Sequence, residues 1–213
     1  MGQIHHQAAN APQHDDHQDL RRGPALAGTR LVLLHGWGAD ADDLLDLAGL
    51  LVGPQVSVVA LRAPMAHPSG QGRQWYSLQP IDWEELPSAR QSLRARLVEL
   101  GSSVPLERTV LLGFSQGGAM AVDVGCDLPL AGVVSCSGYP HQGWKPASQP
   151  GETPVLLSHG QHDPVVPYAA SEALLEQLRL AGREAQLLSF RGEHTIDPTV
   201  LPQIAVFVQN CLS

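Results

Sequence analysis

A serine flanked by two glycines is the feature of this sequence that most directly indicates chemistry. Ser115 stands between Gly113 and Gly117 at the end of an apolar run, and a helix-compatible segment follows it. The pattern G-x-S-x-G is typical of a strand that turns sharply into a helix and projects a serine hydroxyl. Such a turn strains the serine backbone, and neighbours without side chains let strand and helix approach closely. We therefore predict that Ser115 is a nucleophile.

Two further residues complete a candidate catalytic triad with Ser115. Asp163 and His194 each follow a later apolar segment, and the chain order Ser, Asp, His is one in which such nucleophiles are found. A serine hydroxyl is a weak nucleophile until a base removes its proton, so His194 is the predicted base. Asp163 is predicted to hold the imidazole in the required tautomer and to stabilise the imidazolium that forms.

Other acids and histidines lie close enough in sequence to compete for these roles. Asp197 is the rival acid, but its position three residues after the predicted base favours a cap for the last helix. His159 and His162 flank Asp163 and are interpreted as surface residues or as supports for it. His35 precedes a tight turn, which favours shaping of the adjacent loop over action as a base.

Acyl transfer also needs hydrogen-bond donors in fixed positions for the tetrahedral oxyanion. The backbone N–H of Gln116 lies at the start of a predicted helix, where amides lack partners and the helix dipole favours negative charge. We expect the second donor to be the backbone N–H of Trp37, in the loop after the first predicted strand. These two amides form the predicted oxyanion hole.

A loop with several aromatic residues follows the second predicted strand. Trp75, Tyr76 and Trp83 lie in this loop. Because the loop leaves a strand near the predicted site, we hypothesise that these three residues line an apolar acyl groove. The candidate substrate-binding residues are Trp75, Tyr76 and His35. Packing of Trp75 and Tyr76 in the core is the alternative.

Strands and helices alternate along the chain from residue 30 onward. Predicted strands cover residues 30–34, 56–61, 109–113, 131–136, 155–159 and 184–190, and predicted helices cover residues 42–51, 86–100, 116–126, 168–181 and roughly 200–210. The strands are continuous apolar runs, which is typical of a parallel sheet buried on both faces. We predict an α/β fold of about six mainly parallel strands, with helices on both faces. Functional sites in such folds form at the carboxyl ends of the strands, where the triad candidates lie.

The first 27 residues differ in composition from the rest of the chain. They are rich in His, Gln, Asp and Ala and nearly lack large apolar side chains. Because such a segment cannot bury enough surface to offset its ordering entropy, we predict a flexible tail at residues 1–27 and a single domain at residues 28–213. The tail histidines, His5, His6, His14 and His17, could hold a metal, but a polar tail without an ordered scaffold is the preferred interpretation.

Charge, hydropathy and cysteine content exclude several classes of function. The chain has 213 residues and a net charge of −8, without a Lys/Arg cluster, so no nucleic-acid partner is expected. No apolar stretch has membrane-spanning length, and the N-terminus lacks the pattern of a secretion signal. The three cysteines cannot all pair and are interpreted as free thiols of a cytoplasmic protein.

Six motifs together resemble a known family. They are LLHGWGAD at residues 33–40, RAP at 62–64, RQWY at 73–76, GFSQGG at 113–118, HGQHDPVVP at 159–167 and GEHTI at 192–196. These motifs are similar to those of the phospholipase/carboxylesterase family of α/β-hydrolases, which includes the acyl-protein thioesterases. The resemblance extends from about residue 30 to the C-terminus.

The resemblance implies an α/β-hydrolase fold without a large lid domain and a serine hydrolase that uses no metal or organic cofactor. It implies the triad of Ser115, Asp163 and His194 and the oxyanion amides of Trp37 and Gln116. The expected substrate is a small-molecule ester or an acylated molecule, with thioesters and lysophospholipids as further candidates, and no stable membrane insertion is expected. Two alternatives are a non-catalytic binding protein on a hydrolase scaffold and a dienelactone-hydrolase-like enzyme, although the latter usually has cysteine at the elbow. The oligomeric state stays open.

Overall fold

A twisted sheet that is buried on both faces forms the centre of the protein. A computed structural model describes residues 19–146 and 153–213. The strands are β1 (Leu20–Arg22), β2 (Arg30–Leu34), β3 (Ser57–Leu61), β4 (Met65–Ala66), β5 (Arg73–Gln74), β6 (Thr109–Phe114), β7 (Gly132–Cys136), β8 (Val155–Gly160) and β9 (Ala185–Phe190). All but β4 and β5 belong to the main sheet, in the order β1-β3-β2-β6-β7-β8-β9.

The main sheet is parallel except at one edge. Every neighbouring pair from β3 to β9 is parallel, whereas β1 pairs antiparallel with β3, with Leu20 opposite Ala60. The predicted parallel sheet is confirmed, with seven strands in place of about six. The additional strand, β1, has only three residues and all of them are exposed, so no apolar run marks it in the sequence.

The position of β1 also bears on the predicted tail. Residues 20–22 lie in the segment assigned to the flexible tail, yet they pair with β3. The sheet therefore reaches further towards the N-terminus than the predicted boundary at residue 28. Residues 1–18, which include the four tail histidines, lie outside the described residues, and the division into tail and domain stays a prediction.

Five helices cover the two faces of the sheet, as predicted. They are α1 (Leu45–Leu51), α2 (Leu86–Leu100), α3 (Gln116–Gly125), α4 (Tyr168–Leu180) and α5 (Leu201–Leu212). One core contains side chains of α2, α3 and α4, and the other contains side chains of α1 and α5. Within β2, Val32 and Leu34 face the first core while Leu31 and Leu33 face the second, which explains the continuous apolar run.

Helix boundaries follow the predictions closely, with α1 as the main difference. Helix α2 has the predicted bounds, whereas α1 begins three residues after its predicted start at residue 42. The Asp40 carboxylate accepts from the N–H of Ala41 at 2.7 Å, and the N–H of Asp43 donates to the Asp40 carbonyl at 3.1 Å. These local bonds stabilise a turn that competes with the first helical turn.

The short β4–β5 pair was not predicted, because two-residue strands show no alternation. Its buried Arg73 side chain donates to the carbonyl oxygens of Ala63 at 2.9 Å and Pro64 at 2.5 Å. These bonds attach the hairpin to the segment that leaves β3. The hairpin is therefore fixed near the carboxyl end of β2, where the predicted oxyanion loop begins.

Helix α3 approaches the sheet more closely than a side chain would allow. A Cβ atom on Gly117 would lie 2.2 Å from the Leu34 carbonyl oxygen and 2.5 Å from that of His35. A Cβ atom on Gly113 would lie 2.1 Å from the Gly117 carbonyl oxygen. Both glycines are thus required by contacts with backbone atoms, which cannot move aside as a flexible side chain can.

We expect Gly117→Ala to lower the free energy of unfolding by about 3 kcal/mol, because the new methyl group must displace the backbone of β2. Gly49→Ala is the matched control, since Gly49 lies in α1 and a methyl group added to it would have no heavy atom within 4 Å. That control should be neutral or stabilising by about 0.5–1 kcal/mol. Urea unfolding of both variants measures the difference, and equal stabilities would refute the close-contact argument.

Candidate active site

Ser115 lies at the junction between β6 and α3 in a strained backbone conformation. Its φ is +53° and its ψ is −118°, a combination that residues with side chains rarely adopt. Its N–H donates to the carbonyl of Cys136 in β7 at 2.8 Å. This bond and the close packing of the flanking glycines hold the turn in place. The predicted strand–turn–helix geometry around Ser115 is therefore present.

The imidazole of His194, in the loop after β9, connects Ser115 to Asp163. Its Nε2 lies 2.9 Å from Ser115 Oγ, and its Nδ1 lies 2.7 Å from Asp163 Oδ2. In the neutral tautomer that fits both contacts, Nδ1–H donates to the carboxylate and Nε2 accepts from the serine hydroxyl. The structure thus brings together the three residues that the sequence predicts as a triad.

The Asp163 carboxylate is buried in the loop after β8 and is held by the backbone. Its Oδ1 accepts from the N–H groups of Val165 at 2.8 Å and Val166 at 2.9 Å. Burial alone would raise the pKa of this carboxyl, but the hydrogen bonds from His194, Val166 and Val165 outweigh burial and hold the pKa below its usual value. Asp163 is therefore ionised at neutral pH with one oxygen directed at the imidazole.

His159 supports Asp163 from behind. Its ring is fully buried, and Nε2 lies 2.9 Å from the Val166 carbonyl oxygen and 3.2 Å from Asp163 Oδ2. Its Nδ1 lies 2.7 Å from the hydroxyl of Ser171 in α4. The arrangement fits Nε2–H as the donor and Nδ1 as the acceptor of the serine proton. His159 is thus a support for the Asp163 loop, the second of the two roles that the sequence left open.

The other candidate acid and base lie away from the triad. His162 is exposed to solvent. The Asp197 carboxylate accepts from the N–H of Thr199 at 2.8 Å and from its hydroxyl at 2.6 Å. These bonds form a turn before α5, whose N-cap is Val200, so the prediction that Asp197 caps this helix is wrong. Among the described residues Asp197 has no hydrogen bond to His194.

The two predicted oxyanion donors lie beside Ser115. Gln116 is the first residue of α3, where a backbone N–H has no intrahelical acceptor. The loop that carries Trp37 is close by, since a Cβ atom on Gly36 would lie 3.5 Å from the Cβ of Ser115. Within residues 19–146 and 153–213, neither N–H donates to a protein acceptor. Both amides are thus available for a ligand oxygen.

The β4–β5 hairpin fixes the position of the Trp37 loop. The N–H of Gly38 donates to the Arg73 carbonyl at 2.9 Å, and the N–H of Arg73 donates to the Ala39 carbonyl at 2.7 Å. The indole N–H of Trp37 donates to the side-chain oxygen of Gln74 at 2.7 Å. Because the indole is held on the hairpin, the Trp37 backbone amide is held with it.

His35 is a buried structural residue of this loop. Its Nδ1–H donates to the Gly36 carbonyl at 2.7 Å, and its Nε2 accepts from the N–H of Ala63 at 3.1 Å. Burial lowers the pKa of the His35 imidazole, so the neutral ring is favoured. Both ring nitrogens are occupied by backbone groups. The assignment of His35 to substrate binding is therefore corrected to a role in shaping the loop.

Trp75 and Tyr76 lie in the core and do not border a groove. Both side chains are at most 1% exposed. The indole N–H of Trp75 donates to the His35 carbonyl at 3.0 Å. The Gln116 side chain links the pair, accepting from the Trp75 N–H at 3.0 Å and donating to the Tyr76 carbonyl at 2.7 Å. The core-packing alternative is the correct one, and these residues support the Gln116 amide from behind.

Several supporting residues were missed by reasoning from sequence. The Gln116 side chain, the Arg73 guanidinium and the pair of His159 and Ser171 each meet partners that are distant in the chain. The sequence gives only a weak signal for them. They lie in or next to loops that follow apolar strands, and such loops often carry functional residues. Which polar group meets which backbone atom depends on the three-dimensional packing.

Other features of the described residues are separate from this site. No group of three or more His, Cys, Asp or Glu side chains in residues 19–146 and 153–213 could hold a metal ion. A groove of about 1240 Å³ lies against α5 and β9, and none of the triad residues lines it.

Comparison with known proteins agrees with this geometry. Residues 24–212 match the family model described as Phospholipase/Carboxylesterase. Acyl-protein thioesterase 1 of Cryptococcus neoformans var. neoformans serotype D is 32% identical over 180 residues, which cover 70% of this chain and 72% of that protein. Acyl-protein thioesterase 1 of Gibberella zeae is 32% identical over 123 residues, which cover 54% of this chain and 52% of that protein. The chain thus spans about half the length of this second relative.

A solved structure extends the similarity over nearly the whole chain. The crystal structure of esterase PE8 superposes with a TM-score of 0.79 and 30% sequence identity, covering 92% of this chain and 100% of that chain. The sheet order, the helices on both faces and the lack of a large lid among the described residues correspond to the α/β-hydrolase fold. With the family model matched over residues 24–212, the chain belongs to the phospholipase/carboxylesterase family.

Proposed function

We propose that this protein is a serine hydrolase that cleaves carboxylic esters through an acyl-enzyme on Ser115. His194 acts as the base, Asp163 orients it, and the N–H groups of Trp37 and Gln116 form the oxyanion hole. The observation that carries the proposal is the continuous hydrogen-bond chain from Ser115 Oγ through the imidazole to Asp163. The family membership and the esterase similarity support it independently.

The first half-reaction transfers the acyl group to the enzyme. As Ser115 Oγ attacks the ester carbonyl, His194 Nε2 takes the hydroxyl proton, and Asp163 stabilises the resulting imidazolium. The carbonyl oxygen becomes an oxyanion that accepts from the two free backbone amides. The bond to the leaving group then breaks, and the imidazolium returns its proton to the departing alcohol. The acyl group is left on Ser115 as an ester.

The second half-reaction repeats these steps with water. His194 removes a proton from a water molecule, which attacks the acyl-enzyme carbonyl, and the proton then goes to Ser115 Oγ as the acid departs. No cofactor is needed at any step. The contacts among Ser115, His194 and Asp163 support these steps.

The same steps cleave thioesters, because a thiol leaves at least as readily as an alcohol. The relatives named acyl-protein thioesterase and the family description motivate thioesters and lysophospholipids as candidate substrates. Against a non-catalytic binding protein stands the strained backbone of Ser115, which a binding site would not need. Against a dienelactone-hydrolase-like enzyme stands the serine, in place of cysteine, at the elbow.

We further propose a cytoplasmic location with small-molecule esters or acylated molecules as partners. The three cysteines, Cys126, Cys136 and Cys211, are free thiols, which persist in a reducing compartment. Among the described helices, none has both the length and the apolarity required to cross a bilayer.

Ser115→Ala should abolish hydrolysis of p-nitrophenyl butyrate, with kcat/KM falling by about 10⁴-fold or more. The same variant should fail to react with a fluorophosphonate probe. Ser102→Ala is the matched control, because Ser102 is exposed at the end of α2 and bonds only to Glu99. Retained activity in Ser115→Ala, or probe labelling at another serine, would contradict the proposed nucleophile.

Asp163→Asn should lower kcat by about 10⁴-fold, because the amide cannot stabilise the imidazolium. It should also remove a pH-dependent contribution to stability. The folded-state pKa of Asp163 lies below its ordinary value, so the contribution is present above about pH 4 and is lost as the pH falls through the folded-state pKa. Urea unfolding at pH 6 and pH 3 should show the wild type losing its advantage over the variant at the lower pH. An advantage that is the same at both pH values would refute the carboxylate interaction.

A further inference from the structure

Phe114, the residue before the proposed nucleophile, takes no part in the steps above. It is the last residue of β6. Side chains alternate between the two faces of a strand, and Val110, Leu112 and Phe114 all face the core that contains α1 and α5. Phe114 is the nearest of the three to the carboxyl end of the sheet and is only partly buried. Its ring therefore extends from the core towards the loops that carry the site.

The ring of Phe114 contacts two of these loops. A Cβ atom on Gly36, in the loop after β2, would lie 3.3 Å from Cδ1 of Phe114. The centroid of the Phe114 ring lies 4.9 Å from that of the His194 imidazole, with an angle of 45° between the ring planes. Within residues 19–146 and 153–213, Phe114 supplies the one aromatic ring in contact with this imidazole. Phe114 thus packs against the proposed base as well as against the start of the oxyanion loop.

The backbone of His194 does little to fix the position of its imidazole. His194 lies in the irregular segment between β9 and α5. In the part of the chain that the structure describes, neither its N–H nor its C=O takes part in a backbone–backbone hydrogen bond. The nearby anchor of the loop is the Gly192 carbonyl, which accepts from the N–H of His162 at 3.0 Å. The orientation of the imidazole therefore depends mainly on the contacts of the side chain itself.

The two hydrogen bonds of the imidazole fix its nitrogens more firmly than the plane of its ring. Ser115 Oγ lies 2.9 Å from Nε2, and Asp163 Oδ2 lies 2.7 Å from Nδ1. The ring can tilt about the line through its nitrogens while both distances change little. The His194 side chain is also 17% exposed, so one part of it faces solvent, and other rotamers are open to it unless neighbours block them. A group packed against the ring is needed to restrict both movements.

The proposed reaction depends on this restriction twice. His194 Nε2 takes a proton from Ser115 in the first half-reaction and from water in the second, so its lone pair has to be aligned with a different donor each time. Misplacement of a reacting group by 1 Å can cost about 10²-fold in rate. A ring that holds the imidazole in one orientation would therefore contribute to both half-reactions without contacting the ester.

We propose that Phe114 is a positioning residue, whose ring packs against the imidazole of His194 and holds it in the orientation that proton transfer requires. The inference rests on the proposed function, since it assumes that His194 is the base. Phe114 acts through His194, so loss of its ring slows both half-reactions and leaves the binding of the ester unchanged.

The first test removes the ring and keeps an apolar side chain of similar size. With p-nitrophenyl butyrate as substrate, we expect Phe114→Leu to lower kcat about 10-fold. Because both half-reactions use His194, they slow together, and KM should stay within about twofold of the wild-type value. Labelling of Ser115 by a fluorophosphonate probe should slow by a similar factor, since this attack also needs the base. Phe114→Met is a second variant of the same kind, with a flexible chain in place of the ring.

Phe207→Leu is the matched control for the loss of a ring. Phe207 is also partly buried against the core that contains α1 and α5, and it lines the groove that contains none of the triad residues. The change at this position should leave kcat and the rate of labelling unchanged. Thermal unfolding of each variant checks that the fold is retained at the temperature of the assay.

A double-mutant cycle with His194→Ala tests whether Phe114 acts through the imidazole. His194→Ala should retain a residual rate of hydrolysis, because the oxyanion hole and ester binding are still present. Adding Phe114→Leu should change this residual rate by less than about twofold. A loss of about 10-fold in both backgrounds would overturn the inference, because Phe114 would then act independently of His194.

Failure of this inference differs from failure of the proposed function. Wild-type kcat in folded Phe114→Leu and Phe114→Met, in an enzyme that His194→Ala inactivates, would overturn the positioning role alone. Full activity of His194→Ala would overturn the proposed base and this inference with it.

Discussion

The close approach of α3 to the sheet is the constraint on which the site depends. Gly113 and Gly117 let the helix start within contact distance of strand backbones, and Ser115 is thereby forced into its strained conformation. That strain is tolerated because the core packing around it is extensive. The same approach brings the unpaired amide at the start of α3 next to the loop after β2. The proposed nucleophile and one of the two proposed oxyanion donors are thus positioned by a single packing contact.

Buried polar groups then fix the loops around this contact. The Gln116 side chain accepts a hydrogen bond from the backbone N–H of Trp75 and so holds the segment after β5. The Arg73 side chain bonds the β4–β5 hairpin to the segment after β3, and the Trp37 indole donates to Gln74 of that hairpin. His159 holds the loop that carries Asp163 through a hydrogen bond to the Val166 carbonyl. Each of these side chains bonds to backbone atoms of a loop. A buried polar group that lost its partner would cost free energy, so each loop has one favoured position. The geometry of the site is therefore set before a substrate binds.

The sequence predicted the residues whose type is dictated by chemistry and missed those whose role depends on packing. Ser115, Asp163 and His194 could be predicted to lie together because their residue types, their order and their positions after apolar strands are all restricted. For Trp75 the sequence leaves a groove and the core both open, because an aromatic residue in a predicted loop gives no indication of whether it is buried. The burial of Asp123 has no signal in the sequence, since its partner His141 is 18 residues away and meets it only through the packing of α3 against the loop after β7. Long-range contacts of this kind have no local pattern.

Asp163 and Asp123 each lie against histidine, and they differ in the charges that surround them. Asp163 has no Arg or Lys partner in the part of the chain that the structure describes, and backbone N–H groups hold it. Its negative charge is therefore available to stabilise an imidazolium on His194 when the serine proton is transferred. Asp123 lies 2.9 Å from Arg90, which also approaches Asp127 at 3.8 Å, so a cation already shares the charge of the Asp123 carboxylate. The proposed base, His194, thus has a carboxylate partner whose charge no described Arg or Lys offsets, whereas the partner of His141 has a cation beside it.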